Sequence, residues 1–166
     1  MHKYTLGLSF LLLFSLGANA TPSATSITVK IYGTDDKHPE KGDITFHNSP
    51  GGLLITSDLH NLPAGPHGFH IHQNKSCGKN GLAAGAHLDP KNTNTHLGPY
   101  YEGHLGDLPV LYVNAEGESH SSMLAPRLNL DDIKQRSIMI HAGGDNYTDN
   151  PPMGGGGPRI ACGIIQ

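Results

Sequence analysis

From Ile27 onward the chain runs in short segments of alternating apolar and polar residues, separated by Gly, Pro, Asn and Asp, and this pattern constrains the fold most. Ile27, Val29 and Ile31 alternate with Thr28, Lys30 and Tyr32; Ile44 and Phe46 alternate with Asp43, Thr45 and His47. Further segments fall at 53–57, 67–72, 108–113, 119–125, 137–141 and 159–164. Period two puts successive side chains on opposite faces of a strand, so each segment can bury one face and wet the other. Eight such segments predict an all-β fold, an eight-stranded antiparallel sandwich or flattened barrel. The 22 Gly and 12 Pro supply the turns such a fold needs. One helix-like piece is expected at Leu130–Arg136, with Asn129 as N-cap and Asp131 and Asp132 in its first turn. Residues 73–107 and 142–158 break the rhythm, and structureless stretches of that length in a compact domain tend to be functional.

The first twenty residues follow a different rule. His2 and Lys3 precede a short apolar run from Leu6 to Leu16, and Ala18-Asn19-Ala20 forms a small-residue cleavage site before Thr21. That three-part pattern predicts an export signal over 1–20 and a single domain over 21–166, with the run too short to span a bilayer. No Cys follows the cleavage point, so no membrane anchor is expected. Export admits disulfides, and Cys77 and Cys162 are the only two cysteines. The formal charge of −3 offers no basic field for nucleic acid.

Histidine is over-represented, with 12 residues, and neutral imidazole is the commonest metal ligand. In His70-Ile71-His72 both imidazoles share one strand face, while Phe69 and Ile71 take the core side. On 137–141, Ile138 and Ile140 face one way, Met139 and His141 the other. Three imidazoles on the outer wall could therefore converge on one metal, beneath a covering loop. That loop carries His87, His96, His104 and Asp107, spaced 9, 8 and 3 residues apart. Three histidines and a carboxylate suit a closed tetrahedral zinc site, whose binding energy can order the loop.

Gly65-Pro66-His67-Gly68-Phe69-His70-Ile71-His72, the His87…His96…His104-x-x-Asp107 run, Gly106-Asp107-Leu108, His141 and Arg159-Ile160-Ala161-Cys162-Gly163 together resemble the copper/zinc superoxide dismutases. Gly143-Gly144-Asp145-Asn146, the Gly154–Gly157 tract and the signal sequence make the chain most similar to the secreted bacterial branch, across essentially all of Ile27–Ile165. The resemblance implies a Greek-key arrangement of the strands. It also implies one copper per subunit on His70, His72, His87 and His141, and one zinc on His87, His96, His104 and Asp107. His87 would then bridge the metals as an imidazolate and take a proton when copper is reduced. Asp145 would orient a copper histidine and a zinc histidine. Arg159 would receive anionic superoxide beside copper, and Cys77–Cys162 would be a disulfide. His67 resembles a structural histidine bonding backbone carbonyls. His38, His47, His60 and His120 have no expected role, and Lys75, Lys79 and Lys134 are candidates for guiding substrate.

The activity so implied is dismutation of superoxide to oxygen and hydrogen peroxide, in the periplasm, by a monomer or a homodimer. Electrostatic steering and near-diffusional rates are general properties of such enzymes. The protein as a whole is acidic, but the metal charges dominate near the site. Two other readings stay open at this point. A copper-buffering domain would keep some ligands but need keep neither Arg159 nor the bridge. A binding module would explain the strands but not seven ordered ligands.

Overall fold

In the computed structural model, which describes residues 25–166, nine strands and very little helix form the domain. The strands are β1 (Ser26–Gly33), β2 (Glu40–Ser49), β3 (Gly52–Leu59), β4 (Gly65–His67), β5 (Phe69–His72), β6 (Leu111–Val113), β7 (Ser122–Ala125), β8 (Ser137–His141) and β9 (Arg159–Ile164). The export signal expected over 1–20, with its cleavage before Thr21, lies outside the described residues. Seven strands make one antiparallel sheet in the order β5-β8-β9-β1-β2-β3-β7, and β4 pairs with β6 in a second. The order departs from the chain's own, with β9 between β8 and β1 and β7 beside β3, as in a Greek key.

Alternation decides which face is buried. Val29 pairs with Ile44 and Phe46 with Ile55 across β1-β2-β3, and all four side chains are buried. Phe69 and Ile71 of β5 and Ile138 and Ile140 of β8 complete the same core. Each buried aliphatic or aromatic side chain contributes roughly 1.5–3 kcal/mol.

The expected strand 67–72 is broken in two. At Gly68 the chain leaves the β4-β6 sheet and enters the large one, so a single alternating segment closes the barrel wall. This break makes nine strands of eight expected segments. The helix α1 is shorter than expected, Leu130–Ile133 rather than Leu130–Arg136. Asn129 caps it through a complete capping box with Asp132, but Lys134 turns extended and Gln135 takes φ 60°. Of the two long stretches, 73–107 holds only a 3-10 turn at Leu82–Ala84, and 142–158 only one at Pro152–Gly155. Cys77 and Cys162 form a disulfide joining the first of them to β9. No helix among the described residues is long and apolar enough to cross a membrane.

Candidate metal centre

β5 exposes no side chain at all: Phe69 and Ile71 are buried inward, and His70 and His72 are buried outward. The outward pair is covered because the ends of the long loop lie back along β5. Leu88 N–H donates to Ile71 O at 2.9 Å, Ile71 N–H to Gly106 O at 2.9 Å, and Gly106 N–H to Leu88 O at 2.8 Å. His72 thereby faces His87 and His70 faces Asp107 as isolated bridges. Gly106 has to be glycine, since a Cβ there would strike Ile71 O. His141 reaches the same place from β8, next to a register shift between Ile140 and His141.

His87 is the hub of the imidazoles. Its ring centroid lies 4.0 Å from His70, 5.0 Å from His72, 6.2 Å from His141, 5.4 Å from His96 and 5.3 Å from His104. Two sets of side chains offer ligand atoms within 4.8 Å of one another: His70, His72, His87 and His141, and His70, His87, His96 and Asp107. The first set is the expected copper group. The second holds three of the four expected zinc residues with His70 in place of His104. His104 stands close by, its Nδ1 3.4 Å from Asp107 Oδ1.

The hydrogen bonds distinguish the two nitrogens of each ring. His70 Nε2–H donates to Asp145 Oδ2 at 2.7 Å, His96 Nε2–H to Asp145 Oδ1 at 2.8 Å, His72 Nδ1–H to Gly85 O at 2.9 Å and His141 Nδ1–H to Gly157 O at 3.0 Å. The opposite nitrogens, His70 Nδ1, His72 Nε2 and His141 Nε2, together with Nδ1 of His96 and His104, are buried without a hydrogen-bond partner. A buried polar atom left without a partner is costly, and these five cluster around His87. His87 Nδ1 engages Asp107 Oδ1 at 2.9 Å, which leaves Nε2 as its second nitrogen. Partnerless lone pairs on one nitrogen, with an orienting acceptor on the other, are what a metal-ligating histidine requires. Imidazole donors suit both copper and zinc.

Electrostatics agrees with neutral imidazoles at His70, His72, His87 and His141. Burial, followed by the neighbouring His87, pushes His70 down to about 3 and His72 down to about 2. Burial likewise lowers His141 to about 4, and it lowers His87. Burial opposes charge on His96 too, but the adjacent carboxylates of Asp107 and Asp145 outweigh it and raise His96 to about 9. Burial disfavours the charged carboxylates, yet the surrounding imidazoles hold both Asp107 and Asp145 well below the usual carboxylate range.

Arg159 is half-buried beside this cluster. Its Nη1 donates to Gly81 O at 2.6 Å and its Nη2 to Gly85 O at 2.7 Å. Gly85 O also accepts from His72, so the guanidinium and that imidazole share one acceptor. His67 is bonded to His141 O and Pro63 O, both at 2.7 Å, and stays out of the cluster. His38, His47, His60 and His120 also lie outside both ligand groups. Lys75 is bonded to Gln135 and Gln166, and Lys134 to Asp131.

Tyr147 and Asp149 contribute without having stood out in the sequence, and Gly154 of the glycine tract has a specific part. Tyr147 accepts Val110 N–H at its hydroxyl and donates its own N–H to Asp145 Oδ1 at 2.8 Å. Asp149 accepts His96 N–H. Gly154 has φ 70° and lies so close that a Cβ would overlap Asp145 Oδ1. Nothing local marks the Tyr147 hydroxyl or Asp149, because Val110 and His96 lie 37 and 53 residues away.

Residues 40–165 match the family model described as copper/zinc superoxide dismutase. The chain is 56% identical over 143 residues to the superoxide dismutase [Cu-Zn] of Legionella pneumophila, covering 86% of this chain and 88% of that one. Among solved structures, the Cu/Zn superoxide dismutase from Brucella abortus superposes with a TM-score of 0.80 at 49% identity, over 85% of this chain and 99% of the other. The monomeric copper, zinc superoxide dismutase from Salmonella enterica gives 0.74 at 46% identity, over 85% and 99%.

Proposed function

The chain belongs to the copper/zinc superoxide dismutase family, and we propose that it is the periplasmic form, exported by residues 1–20 and working as a domain spanning 21–166. It dismutes superoxide to oxygen and hydrogen peroxide, with copper and zinc ions as its cofactors. His70, His72, His87 and His141 hold the copper in this reading, and His87, His96, His104 and Asp107 hold the zinc. The five buried, partnerless ring nitrogens are the observation that carries it. His104 is preferred to His70 on the zinc side because its Nδ1 is buried without a hydrogen-bond partner 3.4 Å from Asp107 Oδ1, while His70, with Nε2 bonded to Asp145, has one nitrogen to offer. The free Nδ1 of His70 is then left for the copper group.

A copper ion held by His70, His72, His87 and His141 would supply the one-electron chemistry that dismutation needs. Around it the protein has four tasks. Arg159, fixed by the carbonyls of Gly81 and Gly85, presents a cation to the arriving anion. His87 can hold a proton at Nε2 while Nδ1 remains turned toward Asp107, which keeps a proton in reach of the forming peroxide. Asp145 locks the rings of His70 and His96 in orientation through its two oxygens. The barrel wall beneath keeps water from the inner side of His70 and His72.

The test combines metal analysis with superoxide decay on processed protein. Asp107→Ala is expected to lose zinc and keep copper, whereas His70→Ala loses copper and nearly all activity with zinc retained. Loss of the same metal from both would refute the division. Export is tested by intact mass of periplasmic material, which should begin at Thr21; a membrane-held chain retaining Met1 would refute it. The disulfide is in keeping with an oxidising compartment.

A further inference from the structure

The segment 98–104 carries His104 and has no sheet to hold it, so its carbonyls need partners from elsewhere. One side chain serves four of them. Arg127 donates from Nε to Pro99 O at 3.0 Å and from Nη1 to Gly103 O at 3.2 Å. Its Nη2 donates to Gly98 O at 3.1 Å and to His104 O at 2.6 Å. A planar guanidinium with five donors can satisfy several carbonyls at once, which an ammonium cannot.

Both ends of this contact matter. Arg127 is anchored on the barrel, between Ala125 at the end of β7 and Leu128, both buried in the core. At the other end, the backbone it grips faces the carboxylate: Leu97 N–H and Gly98 N–H each lie 3.3 Å from Asp107 Oδ2. His104 N–H is in turn bonded to Thr95 O at 2.9 Å, which closes the loop on itself. Arg127 therefore touches the backbone around two expected zinc residues, belongs to neither group of candidate metal ligands, and is half-buried.

We propose that Arg127 is a positioning residue for the zinc half of the centre, fixing the 98–104 backbone so that His104 and Asp107 are poised toward His96 before zinc binds. The inference rests on the zinc assignment given above. Zinc binding can by itself order a loop, but each contact the protein makes within itself is ordering that zinc does not have to supply. Removing the clamp should therefore appear in zinc affinity and site geometry. Partners that orient metal ligands typically change affinity by about 10–100-fold when lost.

Arg127→Ala and Arg127→Lys, in the processed full-length protein, are compared with wild type by chelator competition for zinc and by the visible absorption of cobalt(II) at the zinc position. Copper affinity and the thermal midpoint of the metal-free protein are measured alongside. Arg127→Ala is expected to weaken zinc binding about 10–100-fold, hasten zinc release and alter the cobalt bands, with copper affinity unchanged. Arg127→Lys should recover only part, since one ammonium cannot reach four carbonyls. Wild-type zinc affinity and cobalt bands in Arg127→Ala would overturn the proposal, even if the metal-free midpoint falls. If Arg127→Ala does not fold, Arg127→Lys decides on the same two readouts. His104→Ala is the control for the ligand assignment. If it binds zinc as wild type does, the assignment itself fails; if it loses zinc while Arg127→Ala does not, only the clamp fails.

Discussion

Arg159 does two things with one guanidinium. In the proposed mechanism its charge meets the arriving anion, and its donors close Gly81 O and Gly85 O, the second shared with His72. Arg159→Ile should therefore lower the superoxide rate by about tenfold, the equivalent of roughly 1.4 kcal/mol of Coulomb attraction. The salt dependence of the remaining rate should weaken. Two carbonyls lose a charged donor as well, so a drop of about 1–3 kcal/mol in stability is expected beside the kinetic effect. Arg159→Lys keeps the charge but not the fork, and should fall between the two. Pulse-generated superoxide decay across ionic strength on fully metallated protein checks both; a wild-type rate in Arg159→Ile would remove Arg159 from the mechanism. Gly154 gives a second test at this scale. Its φ of 70° and its closeness to Asp145 mean that Gly154→Ala must displace the carboxylate linking His70 and His96. Zinc content and thermal midpoint should both fall, and an unaltered midpoint would show that Asp145 tolerates the shift.

The elements that carry the site are joined by few but specific ties. The disulfide between Cys77 and Cys162 connects the ligand loop to β9, so reduction should loosen the 73–107 stretch before the sheet melts. Loss of such a bond typically costs about 2–5 kcal/mol. Thiol titration of unfolded, unreduced protein should find no free thiol, and hydrogen exchange after reduction should quicken first in residues 73–107. Uniform quickening would mean that the bond supports the barrel as a whole. Helix α1 is one turn long and depends on its cap. Asn129 accepts from Asp131 N–H at 2.8 Å and from Asp132 N–H at 3.3 Å, while Asp132 accepts Asn129 N–H at 2.9 Å. Asn129→Ala should cost about 1 kcal/mol in denaturant unfolding, with no change in metal content.

For the molecule as a whole, the buried imidazoles set how stability responds to pH. His70 at about 3, His72 at about 2 and His141 at about 4 bind protons far less readily folded than at the usual 6.5 of the unfolded chain. As pH falls below 6.5 the unfolded state takes up protons that the folded state refuses, so stability falls with it. Asp107 and Asp145, held low, add to the loss once pH drops through their ordinary 3.8. His96 runs the other way: raised to about 9, its contribution is complete below 6.5 and disappears as pH rises through 9. The metal-free protein should therefore be most stable near neutral pH, with the steeper loss on the acid side, as thermal midpoints from about pH 4 to 9 would show. A flat profile down to pH 4 would mean that these imidazoles are not buried as described. Metal strengthens the acid dependence, because its ligands must be deprotonated to bind.

What could be read from the sequence was whatever depends on local periodicity. Alternation placed Val29, Ile44, Phe46, Phe69, Ile71, Ile138 and Ile140 in one core and put His70, His72 and His141 on the opposite faces, because strand geometry fixes side-chain direction every second residue. Caps are equally local, and Asn129 was legible for that reason. Export and a count of only two cysteines pointed to the pairing of Cys77 with Cys162, and resemblance added the place of Asp145, which no local rule supplies. Tertiary structure decided the rest. The break at Gly68 depends on which sheet each half of one alternating segment pairs with, and the early end of α1 on the turn at Gln135. The outward histidines are buried only because Leu88 and Gly106 lie back along β5. Tyr147, Asp149, Gly154 and Arg127 act on partners distant in sequence through backbone carbonyls, amides and steric closeness. Such contacts leave no periodic trace, because a backbone carbonyl or amide is the same group whichever residue carries it.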